Sequence, residues 1–85
     1  MKNTERLQSL DEQMQEERVK ADQLQRKYDN GKISEGEYKS QMGAIERTSD
    51  TLGKEIEDEI KTQGLSEQEY AEAKEEWRQE NEHSR

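Results

Sequence analysis

Apolar residues in the first two thirds of the chain recur at steps of three and four, a pattern that predicts two amphipathic helices. The first stripe has a vacant position filled by Glu17, and its apolar members are Leu7, Leu10, Met14, Ala21, Leu24 and Tyr28. The second stripe has Ser49 in its vacant position, and its apolar members are Tyr38, Met42, Ile45, Leu52 and Ile56, with Ile60 close to the next position. The predicted helices span about 4–30 and 34–62.

The two stripes match each other when the helices are folded back so that Tyr28 faces Tyr38. In that register Glu17 lies opposite Ser49, so both polar interruptions fall in one layer. A coincidence of this kind is expected of an antiparallel hairpin. A polar layer costs stability but fixes the register of the two helices.

Two similar stretches, GKISEGEY and GLSEQEY, have the residues expected where one helix ends and the next begins. A glycine allows the positive φ that follows a helix end, a serine caps the next helix, a glutamate three residues later completes a capping box, and two apolar residues form a hydrophobic staple. The first set is Gly31, Ile33, Ser34, Glu37 and Tyr38. The second set is Gly64, Leu65, Ser66, Glu69 and Tyr70.

A short third helix is predicted over about 66–81, within a segment spanning residues 63–85 whose last few residues are expected to fray. It presents only Tyr70, Ala73 and Trp77 on one face, which is too little apolar surface for a helix that stands alone. The predicted fold is therefore all-α: an antiparallel coiled-coil helical hairpin over residues 1–62, followed by a third helix that docks on the hairpin or on another molecule.

Composition narrows the possible functions. The 85 residues are 42% charged and 25% hydrophobic, with a net charge of −8 that concentrates towards the C-terminus. Such a chain is a poor candidate for direct nucleic-acid binding, which needs clustered basic residues. It has no cysteine, a single histidine, and no apolar run long enough to cross a membrane. We expect a soluble cytoplasmic protein.

Catalysis is not expected of this chain. Its many carboxylates lie on helices predicted to face solvent, and general acid–base chemistry needs an enclosing pocket that so small a core hardly provides. We therefore predict no enzymatic activity, no catalytic residues, no cofactor, no metal site and no small-molecule substrate.

Binding to another protein is the function that the sequence favours, and it leaves three alternatives open. In the first, Tyr70 and Trp77 anchor a partner, unless they instead pack internally against the hairpin. In the second, a row of acidic residues on the third helix mimics nucleic-acid phosphates and blocks a nucleic-acid-binding protein. That row is Glu69, Glu72, Glu76 and Glu80. In the third, the apolar stripes meet their own copies and the chain is a self-associating scaffold.

The block from Leu24 to Met42, and more loosely residues 7–60, resembles the coiled-coil subdomain of large serine recombinases. The matching residues are Leu24, Tyr28, Gly31, Ile33, Glu37 and Tyr38. The same turn is similar to that of the bacterial short C-terminal domain SHOCT. The recombinase resemblance implies a hairpin arm that binds a copy of itself or a regulatory partner, and an origin in a phage or mobile element. Because the flanking cysteine ribbon, the catalytic domain and the basic DNA surface are missing, the implied role is protein recognition alone.

Overall fold

The described part of the protein is all-α, as predicted. The computed structural model describes the backbone of residues 4–83 and the side chains of residues 4–80. It contains three helices: α1 over Glu5–Asp29, α2 over Glu35–Gln63 and α3 over Glu67–His83. The fold is elongated, with principal extents of 49 × 30 × 17 Å. Helix α3 continues two residues beyond its predicted end, and residues 84 and 85 of the predicted frayed tail lie outside the described residues.

Helices α1 and α2 form the antiparallel hairpin in the predicted register. At the turn, the rings of Tyr28 and Tyr38 stack with their centroids 4.5 Å apart. At the opposite end, Arg6 Nε lies 3.4 Å from Glu59 Oε2 and ties the start of α1 to the last turns of α2. We call the half of the hairpin that carries the turn, residues 20–48, the arm.

Helices α1 and α2 both end in the way that the repeated motif predicts. Gly31 and Gly64 have φ values of 69° and 66°, the left-handed conformation that glycine adopts at low cost. After α2, the Leu65 N–H donates to the Ile60 carbonyl at 3.0 Å and the Gly64 N–H donates to the Lys61 carbonyl at 3.2 Å. This pair of bonds is the Schellman motif, and it satisfies carbonyls that the helix end leaves without partners. The turn after α1 has the same pair of bonds.

The serine caps form at both helix starts, but the two capping boxes differ. Ser34 Oγ accepts from the Glu37 N–H, and Ser66 Oγ accepts from the Glu69 N–H, each at 3.1 Å. The Glu69 carboxylate also accepts from the Ser66 backbone N–H at 3.1 Å, which completes that box. The Glu37 carboxylate instead accepts from the Ser34 hydroxyl at 3.5 Å. The box predicted at the start of α2 is therefore only half formed.

The core lies at the end of the hairpin away from the turn. It consists of side chains from all three helices, namely Leu7, Leu10, Leu52, Ile56 and Trp77. Leu24 is the one further apolar residue buried within the described part of α1 and α2. Between the core and Leu24, Glu17 is 9% exposed, and its carboxylate bonds to Lys20 Nζ at 3.1 Å. Ser49 is half-buried, as expected for the other member of the polar layer.

Candidate functional site

Trp77, predicted to anchor either a partner or the third helix, packs internally. It is 7% exposed and belongs to the core cluster with Leu7, Leu10, Leu52 and Ile56. Its indole is therefore the main apolar attachment of α3 to the hairpin. A partner protein would reach it only after α3 had left the hairpin.

Tyr70 lies at the edge of the same contact. Its ring meets the Trp77 ring edge-on, with centroids 6.5 Å apart, and Lys74 Nζ lies 4.5 Å from the Tyr70 ring centroid. Burial raises the pKa of the Tyr70 phenol above its ordinary value, and the nearby Asp11 carboxylate raises it further, while Arg18 opposes the shift. Tyr70 therefore stabilises the packing of α3 on the hairpin and also lines a cleft.

That cleft separates α1 from α3 and has a volume of about 460 Å³. Its lining carries three cations, Arg18, Lys74 and Arg78, and two carboxylates, Asp11 and Glu75. Most of these charges already have partners in the cleft, since Arg78 contacts both carboxylate oxygens of Glu75 at 2.8 Å and Lys74 covers Tyr70. The cleft thus carries charges of both signs, with one cation in excess and the Arg78–Glu75 pair already formed.

The acidic row predicted on α3 is a continuous exposed surface. All four of its side chains are exposed, and at 100° per residue they fall within a sector of about 80°. The row consists of Glu69, Glu72, Glu76 and Glu80. It faces away from the cleft, because Glu76 lies about 200° around the helix from Lys74. Two of its members also bond within α3: Glu69 in the capping box and Glu72 to the Gln68 amide at 3.3 Å.

The arm, in contrast, has no third helix packed along it among the described residues. Leu24 is buried at its centre, but its other apolar seam residues remain half-buried. These are Ala21, Tyr28, Tyr38, Met42 and Ile45. The Tyr38 hydroxyl donates to the Gln25 amide oxygen and holds the two helices together near the turn. The apolar seam of the arm is therefore only partly covered by the two helices that form it.

A groove of about 290 Å³ opens along this seam, and we call it the arm groove. Its lining residues are Lys20, Gln23, Leu24, Lys27, Gln41, Ala44 and Ile45. The groove lies on the side of α1 opposite to the α1–α3 cleft, because Lys27 follows Arg18 by about two and a half helical turns. Helix α3 thus packs on the hairpin near the core, whereas no described helix covers the arm groove.

The arm groove is bordered on α2 by a strip of exposed side chains that carry no charge. The strip consists of Ser40, Gln41, Ala44, Thr48 and Thr51. In a chain with 42% charged residues, this strip differs from the rest of the exposed surface because it carries no charge, and depletion of charge is a mark of the centre of protein interfaces. The sequence analysis did not identify this surface. The feature of the sequence that could have identified it is the run of small and uncharged polar residues that recur at helical spacing in the second predicted helix, beside its apolar stripe.

Two features are absent from the described part of the chain, a cluster of metal-ligating side chains and a membrane-spanning helix. Residues 4–80 contain no group of three or more histidine, cysteine, aspartate or glutamate side chains placed to hold a metal ion. None of the described helices is long and apolar enough to span a bilayer.

Comparison with known proteins returned no matching family model, no matching curated protein and no matching solved structure. The resemblance to the recombinase subdomain therefore stays a prediction that rests on the matching residues of the sequence alone. The functional argument rests on the surfaces of the molecule itself.

Proposed function

We propose that this protein is a non-enzymatic protein-interaction module that binds a partner protein through the arm of its hairpin. It acts as an adaptor, regulator or inhibitor, in keeping with the phage or mobile-element origin that the recombinase resemblance implies. The observation that carries the proposal is the arm groove with its uncharged border strip. An interface centre needs apolar surface that carries little charge, and the uncharged strip with the apolar residues of the arm groove offers it where none of the described helices covers it.

The position of the core supports the arm as the binding surface. The core and α3 lie at the other end of the hairpin, so the arm adds little to the core. Burying the rest of its seam against another molecule would recover apolar contact that the isolated hairpin leaves exposed to water. A role in binding explains why half of the hairpin extends beyond the core.

The proposal is tested by placing a photo-crosslinking residue at Ala44, with Glu46 as the matched control. Both side chains are exposed and lie at nearly the same height on α2, but they point about 160° apart. In extracts of the organism that encodes the protein, we expect a specific crosslinked product from position 44 and none from position 46. Equal crosslinking at both positions, or none at either, would refute the arm as the binding surface.

The acidic row on α3 favours a second candidate function, the mimicry of nucleic-acid phosphates. Its four carboxylates are exposed on one face and could enter a basic channel of a nucleic-acid-binding protein. Mimicry predicts that the triple substitution of Glu72, Glu76 and Glu80 by Gln abolishes partner binding and that binding weakens steeply with salt. Binding through the arm predicts that the same triple variant keeps its partner.

A further inference from the structure

The charge and shape of the arm groove identify the kind of partner that it fits. We propose that the groove binds an acidic amphipathic helix of a partner protein, with its apolar face on the apolar residues of the groove and its carboxylates beside Lys20 and Lys27. This inference rests on the proposed function and specifies the partner at that same surface.

The shape of the groove suits a helix. Its apolar lining residues are Leu24, Ala44 and Ile45, and the α2 border includes short side chains such as Ser40 and Thr48 that allow a close approach. An amphipathic helix that lays one face in an apolar groove is a common mode of peptide recognition. The hairpin already binds one such helix, because α3 docks through side chains at i, i+3 and i+7, namely Tyr70, Ala73 and Trp77. Helix α3 is also acidic on its outer face.

The charges of the groove select a partner of negative sign. Two lysines line it and no carboxylate among the described side chains does, although the chain has 22 acidic and 14 basic residues. Lys20 is partly compensated, since its Nζ lies 3.1 Å from the buried Glu17 carboxylate. Lys27 has no carboxylate partner among the side chains of residues 4–80. A partner carboxylate beside Lys27 would therefore gain an ion pair without breaking one.

The same charges disfavour a second copy of this chain in the groove. Two arms packed face to face would bring four lysines together without a carboxylate from either lining. Like charges brought together across an interface oppose association. The net charge of −8 adds repulsion between whole molecules. An acidic helix from another protein avoids the first of these costs and gains from the lysines.

Two designed helical peptides of about 15 residues test the inference, each with leucines at i, i+3 and i+7. In one, the flanking positions are glutamates, and in the matched control they are lysines. Binding of each fluorescently labelled peptide to the full chain is measured by anisotropy. Amide chemical shifts of the protein locate the bound peptide. We expect the acidic peptide to bind and to shift amides of the arm, including those of Gln23, Ala44 and Thr48, and the basic peptide to bind at least tenfold more weakly.

A matched pair of variants checks the role of the lysines. Lys27→Glu should weaken binding of the acidic peptide about tenfold, whereas Lys54→Glu makes the same change of charge on an exposed position outside the groove and should leave it nearly unchanged. Circular dichroism confirms that both variants keep their helices. Lys20→Gln, which introduces no charge beside Glu17, gives a second and milder test of the same side of the groove.

The peptide and crosslinking experiments distinguish a failure of this inference from a failure of the proposed function. Equal binding of the two peptides, equal effects of Lys27→Glu and Lys54→Glu, no binding of the acidic peptide, or shifts confined to the α3 contact would overturn the acidic helix as the occupant. The crosslinking experiment at Ala44 does not depend on the charge of the partner. A specific product there together with a failed peptide test would retain the arm and reject its proposed ligand.

Discussion

Trp77 provides the sharpest prediction about how the protein holds together. Its side chain is 7% exposed and belongs to a core cluster that includes leucines of both hairpin helices, so Trp77→Ala removes the largest apolar contribution of α3. A buried tryptophan removes about 150–250 Å² from water, which at about 25 cal/mol per Å² corresponds to roughly 4–6 kcal/mol. This area-based figure is an upper bound, and measured truncations of buried aromatic residues cost about 3–5 kcal/mol. We therefore expect a loss of about 3–4 kcal/mol.

Such a loss is large for this chain. A protein of 85 residues typically unfolds with a free energy of about 4–13 kcal/mol, so the variant would approach the limit of stability. Helix α3 should fail first, because a helix of 17 residues is marginal in water without its docking contact. Beside the 25 residues of α1 and the 29 of α2, its unfolding would lower the helical circular dichroism signal by about a quarter.

Urea unfolding followed by circular dichroism measures both effects. The midpoint of Trp77→Ala should fall by about 2 M urea. Gln79→Ala, an exposed change on the same helix, is the control and should shift the midpoint little. If Trp77→Ala cost less than about 1 kcal/mol and kept the full helical signal, α3 would not be held on the hairpin by Trp77, and the reasoning from burial would be refuted.

Three further predictions concern the turn, the polar layer and the ionisation of Tyr70. Gly31→Val should lower the melting temperature, because φ at that position is 69°. Gly43→Ala should raise it by removing the helix penalty of about 1 kcal/mol for glycine, since the new Cβ would meet a side chain no closer than 3.5 Å. Equal effects of the two substitutions in thermal melts would contradict the turn assignment. Glu17→Leu should raise the melting temperature while loosening the register, and a large loss of stability would show that Glu17 does not lie in the seam. The pKa of Tyr70 is raised by burial and by Asp11, so above about pH 10 the phenol loses its proton first in the unfolded chain, and the free energy of unfolding falls as pH rises. This alkaline loss of stability should be smaller in Tyr70→Phe. An unchanged loss would exclude Tyr70 as the cause of the pH dependence.

The sequence predicted those parts of the fold that depend on local chemistry or on the spacing of apolar residues. Gly31 and Gly64 adopt positive φ because few other residues do so cheaply, and each lies where a helix must end. The pairing of Tyr28 with Tyr38 follows from one register that aligns both stripes. Such features need only neighbouring residues or one repeated spacing, so a single sequence suffices to predict them.

The functional surfaces were harder to predict, because they depend on how the elements assemble. The sequence shows that Trp77 lies on an apolar face, but not whether the hairpin or another protein covers it. The arm groove requires the register of two helices to be known before Lys27 and Ala44 can be placed on one surface. An uncharged strip is also a weaker signal than a motif, since it consists of side chains that any exposed helix contains.

The solution mass tests the central claim most directly. If α3 packs on the hairpin and the arm stays open for a different protein, light scattering over a micromolar concentration series should show a single helical species of 10.1 kDa at moderate and at high salt. A stable dimer that dissociates when Ala44 is replaced by Arg would contradict the account. In that case the arm groove would already be filled by a second copy, and the protein would be a self-associating scaffold.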